Sequence, residues 1–242
     1  MRILYAGDSK VGGPANYLLG ILRYMKTNVV HIPPGKKLSP SLFKKRFDGI
    51  ILSDFSAKNA SAHSQKMIAG QVARGTGLLM IGGWGSFSGP FGGWSGSVIE
   101  KLLPVRCLGK DDRLNLPGGA WILEKKKHSM FQKLPFRNPP VICGMNRIQP
   151  KKNSRVILTA RRIADRKEFP LLVIHSDSRI RTAALATDLA PHWCGGMVDW
   201  GSKRMKLKVS GKIQIEVGDL YVRFVSSFIR WITQNRKARA NS

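Results

Sequence analysis

The chain has 242 residues, of which 43% are hydrophobic, so it is long enough to bury the core of one α/β domain. No run of roughly eighteen apolar residues is present to span a membrane, and Asp8 interrupts the N-terminal segment before a signal peptide's apolar region could form. Lys and Arg number 41 against 14 Asp and Glu, a formal net charge of +27. The 3 widely spaced cysteines favour neither a disulfide framework nor a thiolate zinc site. We therefore predict a cytoplasmic protein without membrane contact.

The N-terminal part alternates short apolar runs with amphipathic segments, which is typical of βαβ units and a parallel sheet. We predict strands at residues 3–6, 28–32, 50–52 and 78–81, and helices after Pro14, at residues 39–47 and from Ser61 to Gly75. The first strand ends in Gly-Asp-Ser at Asp8, and the third ends at Asp54. A glycine-rich loop at residues 82–96 follows the fourth strand.

The C-terminal part is predicted to complete a single domain over residues 1–234. Its elements are an irregular insertion at about residues 104–154, strands at 155–160, 171–175 and 182–187, an antiparallel hairpin at 205–217 with the turn Ser210-Gly211-Lys212, a helix from Asp219 with Tyr221, Phe224, Val225, Phe228 and Ile232 inside, and a disordered basic tail at 235–242. The fold class predicted is a flavodoxin-like, three-layer, doubly wound and mostly parallel sheet with an antiparallel hairpin extension.

Three segments together resemble the class I glutamine amidotransferase-like superfamily. They are residues 48–54 (DGIILSD), 77–87 (GLLMIGGWGSF) and 184–193 (ALATDLAPHW), with a weaker match at 128–135 (HSMFQKLP). The resemblance extends from Arg2 to Trp231. It implies a flavodoxin-like fold in which the fourth strand runs into a sharp turn, the nucleophile elbow, of the form Gly-x-Cys-x-Gly.

In active members of that superfamily, the elbow exposes a thiolate that a histidine on a later strand deprotonates. Alignment with residues 81–85 puts Gly83 at the nucleophile position, and the nearest cysteine is Cys107. His192 is followed by Trp193 and Cys194 and lacks the glutamate of active enzymes. We therefore expect a pseudoenzyme that does not hydrolyse glutamine and that binds a small molecule or an anion.

The binding site is predicted at the carboxyl ends of the parallel strands, where loops diverge on either side of the switch point. Its predicted residues are Asp8, Ser9, Asp54, Gly82, Gly83, Trp84, Ser86, Phe87, His192 and Trp193. The rings of Trp84, Phe87 and Trp193 would form apolar walls, and the alternative is that Trp84 and Trp193 only pack the loop against the sheet. The glycine-rich loop matches no phosphate-binding motif, and no cofactor is predicted.

Two other chemistries remain open for the same residues. Gly-Asp-Ser after the first strand also resembles serine esterases, with Ser9 as nucleophile supported by Asp188 and His192, although the spacing and Lys10 count against it. Alternatively, Asp8 and Ser9 only cap the turn. Asp8, Asp54, Asp188 and His192 all follow predicted strands and could hold a divalent cation, but carboxylates at turns are usually caps, so no metal site is assigned.

The positive charge admits a third class of function. Basic residues form small clusters at residues 44–46, 125–127, 161–162 and 203–204, without a nucleic-acid-binding motif. A protein that bound nucleic acid through this surface would lose affinity steeply with added salt. Weak polyanion binding, a merely solvated basic surface and association with further copies of the chain all remain open.

Overall fold

A computed structural model describes residues 1–234, and the predicted disordered tail at 235–242 lies outside the described residues. The strands are β1 (Arg2–Gly7), β2 (Asn28–Ile32), β3 (Gly49–Ser53), β4 (Gly77–Ile81), β5 (Val105–Arg106), β6 (Arg113–Glu124), β7 (Val141–Asn146), β8 (Gln149–Pro150), β9 (Arg155–Arg162), β10 (Glu168–Ser176), β11 (Arg181–Leu185), β12 (Arg204–Ser210) and β13 (Ile213–Gly218). The α-helices are α1 (Ala15–Tyr24), α2 (Ala62–Ala73), α3 (Val98–Leu102), α4 (Pro191–Cys194) and α5 (Asp219–Thr233). Short 3₁₀ helices cover Pro40–Lys44, Ala57–Asn59, Ser129–Phe131 and Gly195–Asp199.

The main sheet has nine strands in the order β2-β1-β3-β4-β11-β10-β9-β6-β7. Its first five strands are parallel, and their order is that of a flavodoxin-like doubly wound sheet, with the switch point between β1 and β3. Strands β10, β9, β6 and β7 continue the sheet in antiparallel fashion. The predicted flavodoxin-like α/β fold is confirmed.

The helices predicted after Pro14 and from Ser61 form as α1 and α2, whereas the helix predicted at residues 39–47 is only the short 3₁₀ helix Pro40–Lys44. The Ser61 side chain accepts a hydrogen bond from the Ser64 N–H at 3.1 Å, which starts α2 at the predicted place. In α5 the five residues predicted for the inner face are all buried. Helix α1 packs against α5, whereas α2 packs against α3. The helices that follow β1 and β3, the two strands of the switch point, therefore have different partner helices.

The segment at residues 104–154, predicted to be irregular, instead contributes β6 and β7 to the main sheet. Pro117 and Gly118-Gly119 interrupt β6 and would normally argue against a strand. The pairing of β6 with β7 shifts between Asn115 and Ala120, so these residues leave the ladder as a bulge and the strand continues. That residues 1–234 form one domain remains a prediction.

The predicted hairpin is formed by β12 and β13, with Met205 opposite Val217 and Leu207 opposite Ile215. It makes a separate two-stranded sheet and packs on α1, where a Cβ on Gly20 would lie 3.1 Å from the Ile215 side chain. The predicted three-residue turn is wrong, because Ser210 pairs with Ile213 and leaves two turn residues. The strand pairing shifts register between Lys208 and Ser210, and the alternation of buried and exposed side chains along β12 is kept despite the shorter turn.

Candidate functional site

Asp8 and Asp54 follow β1 and β3 and therefore flank the switch point of the parallel sheet. Both have left-handed backbone conformations, with φ of 56° and 50°. Such a conformation is uncommon outside glycine, and aspartate is one of the residues that tolerate it. The Asp8 N–H donates to the Ser53 carbonyl oxygen at 2.8 Å, which joins the two loops.

The carboxylate of Asp8 lies in a half-buried position between two hydroxyl groups. Ser53 Oγ donates to Asp8 Oδ1 at 3.1 Å, and the Tyr5 hydroxyl donates to Oδ2. Burial raises the pKa of Asp8 to about 7, against the opposing effect of these two hydrogen bonds, and the negative charge of Asp54 raises it further. Asp8 can therefore gain or lose a proton near neutral pH.

The raised pKa of Asp8 predicts a loss of stability with rising pH. Between pH 3.8, the ordinary pKa, and about pH 7, the folded protein keeps a proton on Asp8 that the unfolded chain has lost. The free energy of unfolding therefore falls as the pH rises through this range. The Asp8→Asn variant should lack this loss and should exceed the parent in free energy of unfolding at about pH 8. Asparagine also suits the left-handed backbone. Urea unfolding across this pH range measures the difference.

The control for this experiment is Asp165→Asn, because a hydrogen bond from Arg162 lowers the pKa of Asp165 to about 2. The difference in free energy of unfolding between this variant and the parent should not change between about pH 5 and pH 8, because Asp165 is ionised in both the folded and the unfolded chain there. A pH-independent difference for Asp8→Asn as well would contradict the titration assigned to Asp8.

The turn after β4 is the elbow, and Gly83 at its centre has φ of 148°. A Cβ on Gly83 would lie 2.8 Å from both Cβ and Oδ1 of Asp54. Asp54 Oδ1 also accepts a hydrogen bond from the Gly85 N–H at 2.5 Å. The carboxylate of Asp54 therefore occupies the Gly85 N–H of the elbow, and burial raises the pKa of Asp54.

Ser86, predicted as a ligand-binding residue, is buried within the elbow. Its Oγ donates to the Ile81 carbonyl oxygen at 2.5 Å and accepts from the Asp54 N–H at 3.0 Å. The neighbouring Gly82 is packed so closely that a Cβ would lie 2.1 Å from the Ala186 carbonyl oxygen. Ser86 and Gly82 therefore shape the turn from inside.

Asn146 and Asp112 stabilise the elbow through buried hydrogen bonds, and the sequence analysis did not identify them as site residues. Asn146 Oδ1 accepts from the Gly83 N–H at 2.9 Å, and Nδ2 donates to the Gly83 carbonyl at 3.2 Å and to Asp112 Oδ1 at 2.6 Å. Asp112 Oδ2 accepts from the Ser88 N–H at 2.8 Å. Both side chains are fully buried. The sequence signal for Asn146 was its position as the polar residue at the end of the mostly apolar run at 141–146, which lies in the segment predicted to be irregular.

Asp188 follows β11 and caps the short helix α4. Its oxygens accept from the Cys194 N–H at 2.8 Å and the Trp193 N–H at 3.3 Å. Burial raises the pKa of Asp188 well above its usual range, and the nearby charge of Asp8 acts in the same direction. His192 is exposed, and its charge lowers the pKa of Asp54, so these groups influence one another across the strand ends.

Ser9 caps the start of α1 and does not face the histidine. Its Oγ accepts from the Ala15 N–H at 3.1 Å and donates to the Lys10 carbonyl at 2.7 Å. Within residues 1–234, no hydrogen bond joins Ser9 to Asp188 or His192. The geometry therefore favours the capping interpretation over the esterase triad.

The three aromatic residues predicted as walls have different roles. Phe87 is fully buried and Trp193 is 2% exposed, its ring packed on β7, where a Cβ on Gly144 would lie 2.3 Å from it. Trp84 is 41% exposed and stacks with Phe91, with ring centroids 6.3 Å apart. The guanidinium of Arg113 lies 4.3 Å from the Trp84 ring centroid. Only Trp84 of the three has substantial exposed surface.

The strand ends thus gather Asp8, Asp54, Asp188 and His192 around the elbow. In the part of the chain that the structure describes, no group of three or more His, Cys, Asp or Glu side chains is arranged to hold a metal ion. A concavity of about 840 Å³ lies elsewhere, between the 3₁₀ helix at Ser129–Phe131 and β6, β9 and β10.

The strand order and the elbow define the class as class I glutamine amidotransferase-like α/β proteins. Residues 14–213 match the GATase1-like family, described as "Putative glutamine amidotransferase". The chain belongs to this family. No curated protein matches it.

Solved structures share the fold over nearly the whole chain. The cytoplasmic protein STM1381 from Salmonella typhimurium LT2 is 24% identical, with 97% of this chain and 100% of that chain covered and a TM-score of 0.74. The cytoplasmic protein STM3548 from Salmonella typhimurium is 21% identical, with 96% of this chain and 99% of that chain covered and a TM-score of 0.75. The mmIFT52 N-terminal domain is 9% identical, with 97% and 98% covered and a TM-score of 0.60. Among residues 1–234, no helix is long and apolar enough to cross a bilayer.

Proposed function

We propose that this chain is a family member that does not hydrolyse glutamine and that binds a small polar molecule at the carboxyl ends of the parallel strands. The observation that carries the proposal is Gly83 at the centre of the elbow, where the nucleophile of an active enzyme would stand. A glycine has no side chain to attack the amide, and the Asp54 carboxylate fills the space beside it.

The cysteines present offer no substitute nucleophile at the elbow. Burial raises the pKa of Cys107 to about 12 and raises that of Cys194 well above its usual range, so both stay protonated thiols near neutral pH. Cys143 is exposed on β7 and lies beside Gly195, where an added Cβ would be 2.8 Å from its Sγ. A protonated thiol is a weak nucleophile, and this supports an inactive elbow.

The groups around the elbow favour a ligand that donates hydrogen bonds. Asp8 and Asp54 are half-buried carboxyl groups, and His192 is exposed beside them. Carboxylates accept hydrogen bonds and repel anions, so hydroxyl or amine groups suit this edge better than the anion that the sequence left open. Exposed Trp84 would supply an apolar contact for such a ligand. We place the protein in the cytoplasm, as the names of the two Salmonella proteins describe those relatives.

Glutamine hydrolysis should be absent. Purified protein incubated with glutamine is expected to release no more ammonia than a heat-inactivated sample, because no thiolate stands at the elbow. Ammonia release that disappeared on replacing Cys107, Cys143 or Cys194 by serine would show that a cysteine elsewhere serves as nucleophile and would overturn the proposal.

The binding part is tested with the same protein by thermal unfolding in the presence of amines and polyols. A stabilising compound should lose its effect in Asp54→Asn, which keeps the acceptor for Gly85 but removes the charge, and keep it in the exposed variant Asp165→Asn. An equal effect on both variants would place binding away from the elbow.

A further inference from the structure

We propose that a basic cavity at the opposite edge of the sheet from the elbow binds phosphate groups. The cavity has a volume of about 430 Å³. Ser154 just precedes β9, Ile180 just precedes β11, and His175 lies near the end of antiparallel β10, so the cavity lies where the parallel strands begin. The elbow follows β4 at the edge where those strands end.

The charge of this basic cavity is entirely positive or neutral. Its ionisable lining residues are Lys101, Arg106, Lys151, Lys152 and His175, and no Asp or Glu lines it. An adjoining cavity of about 260 Å³ shares three of these cations and adds Glu100. The Glu100 carboxylate accepts from the Cys107 N–H at 2.7 Å and the Gly96 N–H at 2.5 Å, so backbone donors already engage it.

Lys151 fixes the wall of the basic cavity. Its Nζ donates to the carbonyl oxygens of Glu100 and Leu103 at 2.7 Å each, and to that of Lys101 at 3.1 Å. All three of its N–H groups are thereby used at the end of α3. Lys151 therefore contributes charge and a fixed frame, and it leaves direct contact with a ligand to its neighbours.

Lys101, Arg106 and Lys152 are the cations available for contact. All three are exposed, and no ion pair within residues 1–234 involves them. An arginine fork with two flanking ammonium groups is the donor set that proteins use for phosphate.

The larger concavity of about 840 Å³ is a weaker candidate. It also has basic lining residues, but Glu168 neutralises two of them, with Arg161 at 2.6 Å and Lys125 at 3.9 Å. An anion there would also face the carboxylates of Glu124 and Glu168, whereas no carboxylate lines the basic cavity. The uncompensated charge therefore favours the basic cavity.

The ligand chemistry is a phosphate group with an attached organic part. Leu102, Leu103, Pro104 and Ile180 give the basic cavity apolar lining, and its volume exceeds what a single phosphate fills. The phosphate could come from a phosphorylated small molecule or from the backbone of a single-stranded nucleic acid. The same experiment distinguishes these two sources.

The test titrates the protein with adenosine triphosphate and with a labelled oligothymidylate at a fixed ionic strength of about 0.15 M, where the screening length is about 8 Å. In the variant Lys101→Ala/Arg106→Ala/Lys152→Ala, affinity for the bound probe should fall about tenfold or more, because charged hydrogen bonds are lost. The matched control is Lys206→Ala/Lys208→Ala/Lys212→Ala, which removes the same charge from exposed positions of the hairpin. It should lose about twofold or less, since distant charges are screened.

A selective loss for adenosine triphosphate alone would assign the basic cavity to a phosphorylated small molecule, and a loss for oligothymidylate would assign it to backbone phosphates. Equal losses in both triple variants would show that the overall charge, and not the basic cavity, binds the probe. If the parent protein bound neither adenosine triphosphate nor oligothymidylate, the inference would also be overturned. The ammonia assay at the elbow is independent of every outcome.

Discussion

Replacing Asn146 by alanine is expected to lower the free energy of unfolding by about 3–5 kcal/mol, a large share of the stability of a typical domain. The side chain makes three hydrogen bonds in a fully buried position, two to the backbone of Gly83 and one to Asp112. Without it, the Gly83 N–H and one Asp112 oxygen lose their partners. A buried polar group left unpaired costs about 1–3 kcal/mol, and more when it is charged. Urea unfolding of the purified variant measures the change.

Asn115→Ala is the matched control, because Asn115 lies opposite Gly144 in the β6–β7 pairing but is exposed. It should change the free energy of unfolding by about 0.5 kcal/mol or less. If Asn146→Ala were as mild as this control, the elbow would not depend on the buried network of Asn146 and Asp112.

Introducing the missing nucleophile, Gly83→Cys, is expected to destabilise the protein by about 2–4 kcal/mol and to produce no glutaminase activity. The new Cβ would lie 2.8 Å from Asp54, closer than side-chain carbons approach, and the φ of 148° is unfavourable for any side chain. The elbow loop would have to move away from Asp54. His192 lies exposed near Asp54, but within residues 1–234 no hydrogen bond to a carboxylate orients its ring to deprotonate a thiol, so restoring the cysteine does not restore the chemistry.

Gly12→Cys separates backbone strain from the clash with Asp54. Gly12 also has a positive φ, 109°, but nothing lies within 4 Å of an added Cβ. It should cost about 1–2 kcal/mol, less than the elbow variant. Equal costs for the two variants would mean that Asp54 does not fill the elbow, and ammonia release by Gly83→Cys would mean that the remaining catalytic groups are intact.

Asn146→Ala and Gly83→Cys both test whether side chains of the protein itself occupy the elbow. Asn146 binds the N–H and carbonyl groups of Gly83 from one side, and Asp54 accepts from the Gly85 N–H on the other. In an active enzyme, elbow donors are left for the reacting group. Here the chain's own polar groups accept from the Gly83 and Gly85 N–H groups, so these donors are not left for a reacting group.

The sequence by itself determined the features that depend on local patterns. Apolar runs alternating with amphipathic segments predicted the parallel strands and their helices, and the strict alternation at 205–217 predicted the hairpin. The absence of a cysteine at Gly83 could be read directly, once the resemblance located the elbow. The left-handed turns at Asp8 and Asp54 also lay where predicted strands ended.

Only the tertiary structure decided which distant groups meet. Asn146 is 63 residues from Gly83, and no periodicity along the chain links them. Local sequence does not distinguish the buried rings of Phe87 and Trp193 from exposed Trp84, and Trp193 is buried because its ring packs on Gly144 of β7. The pKa of Asp8 and the charge of the basic cavity likewise depend on burial and on neighbours from other strands. Burial and long-range hydrogen bonding are properties of the packed chain, which local residue patterns do not contain.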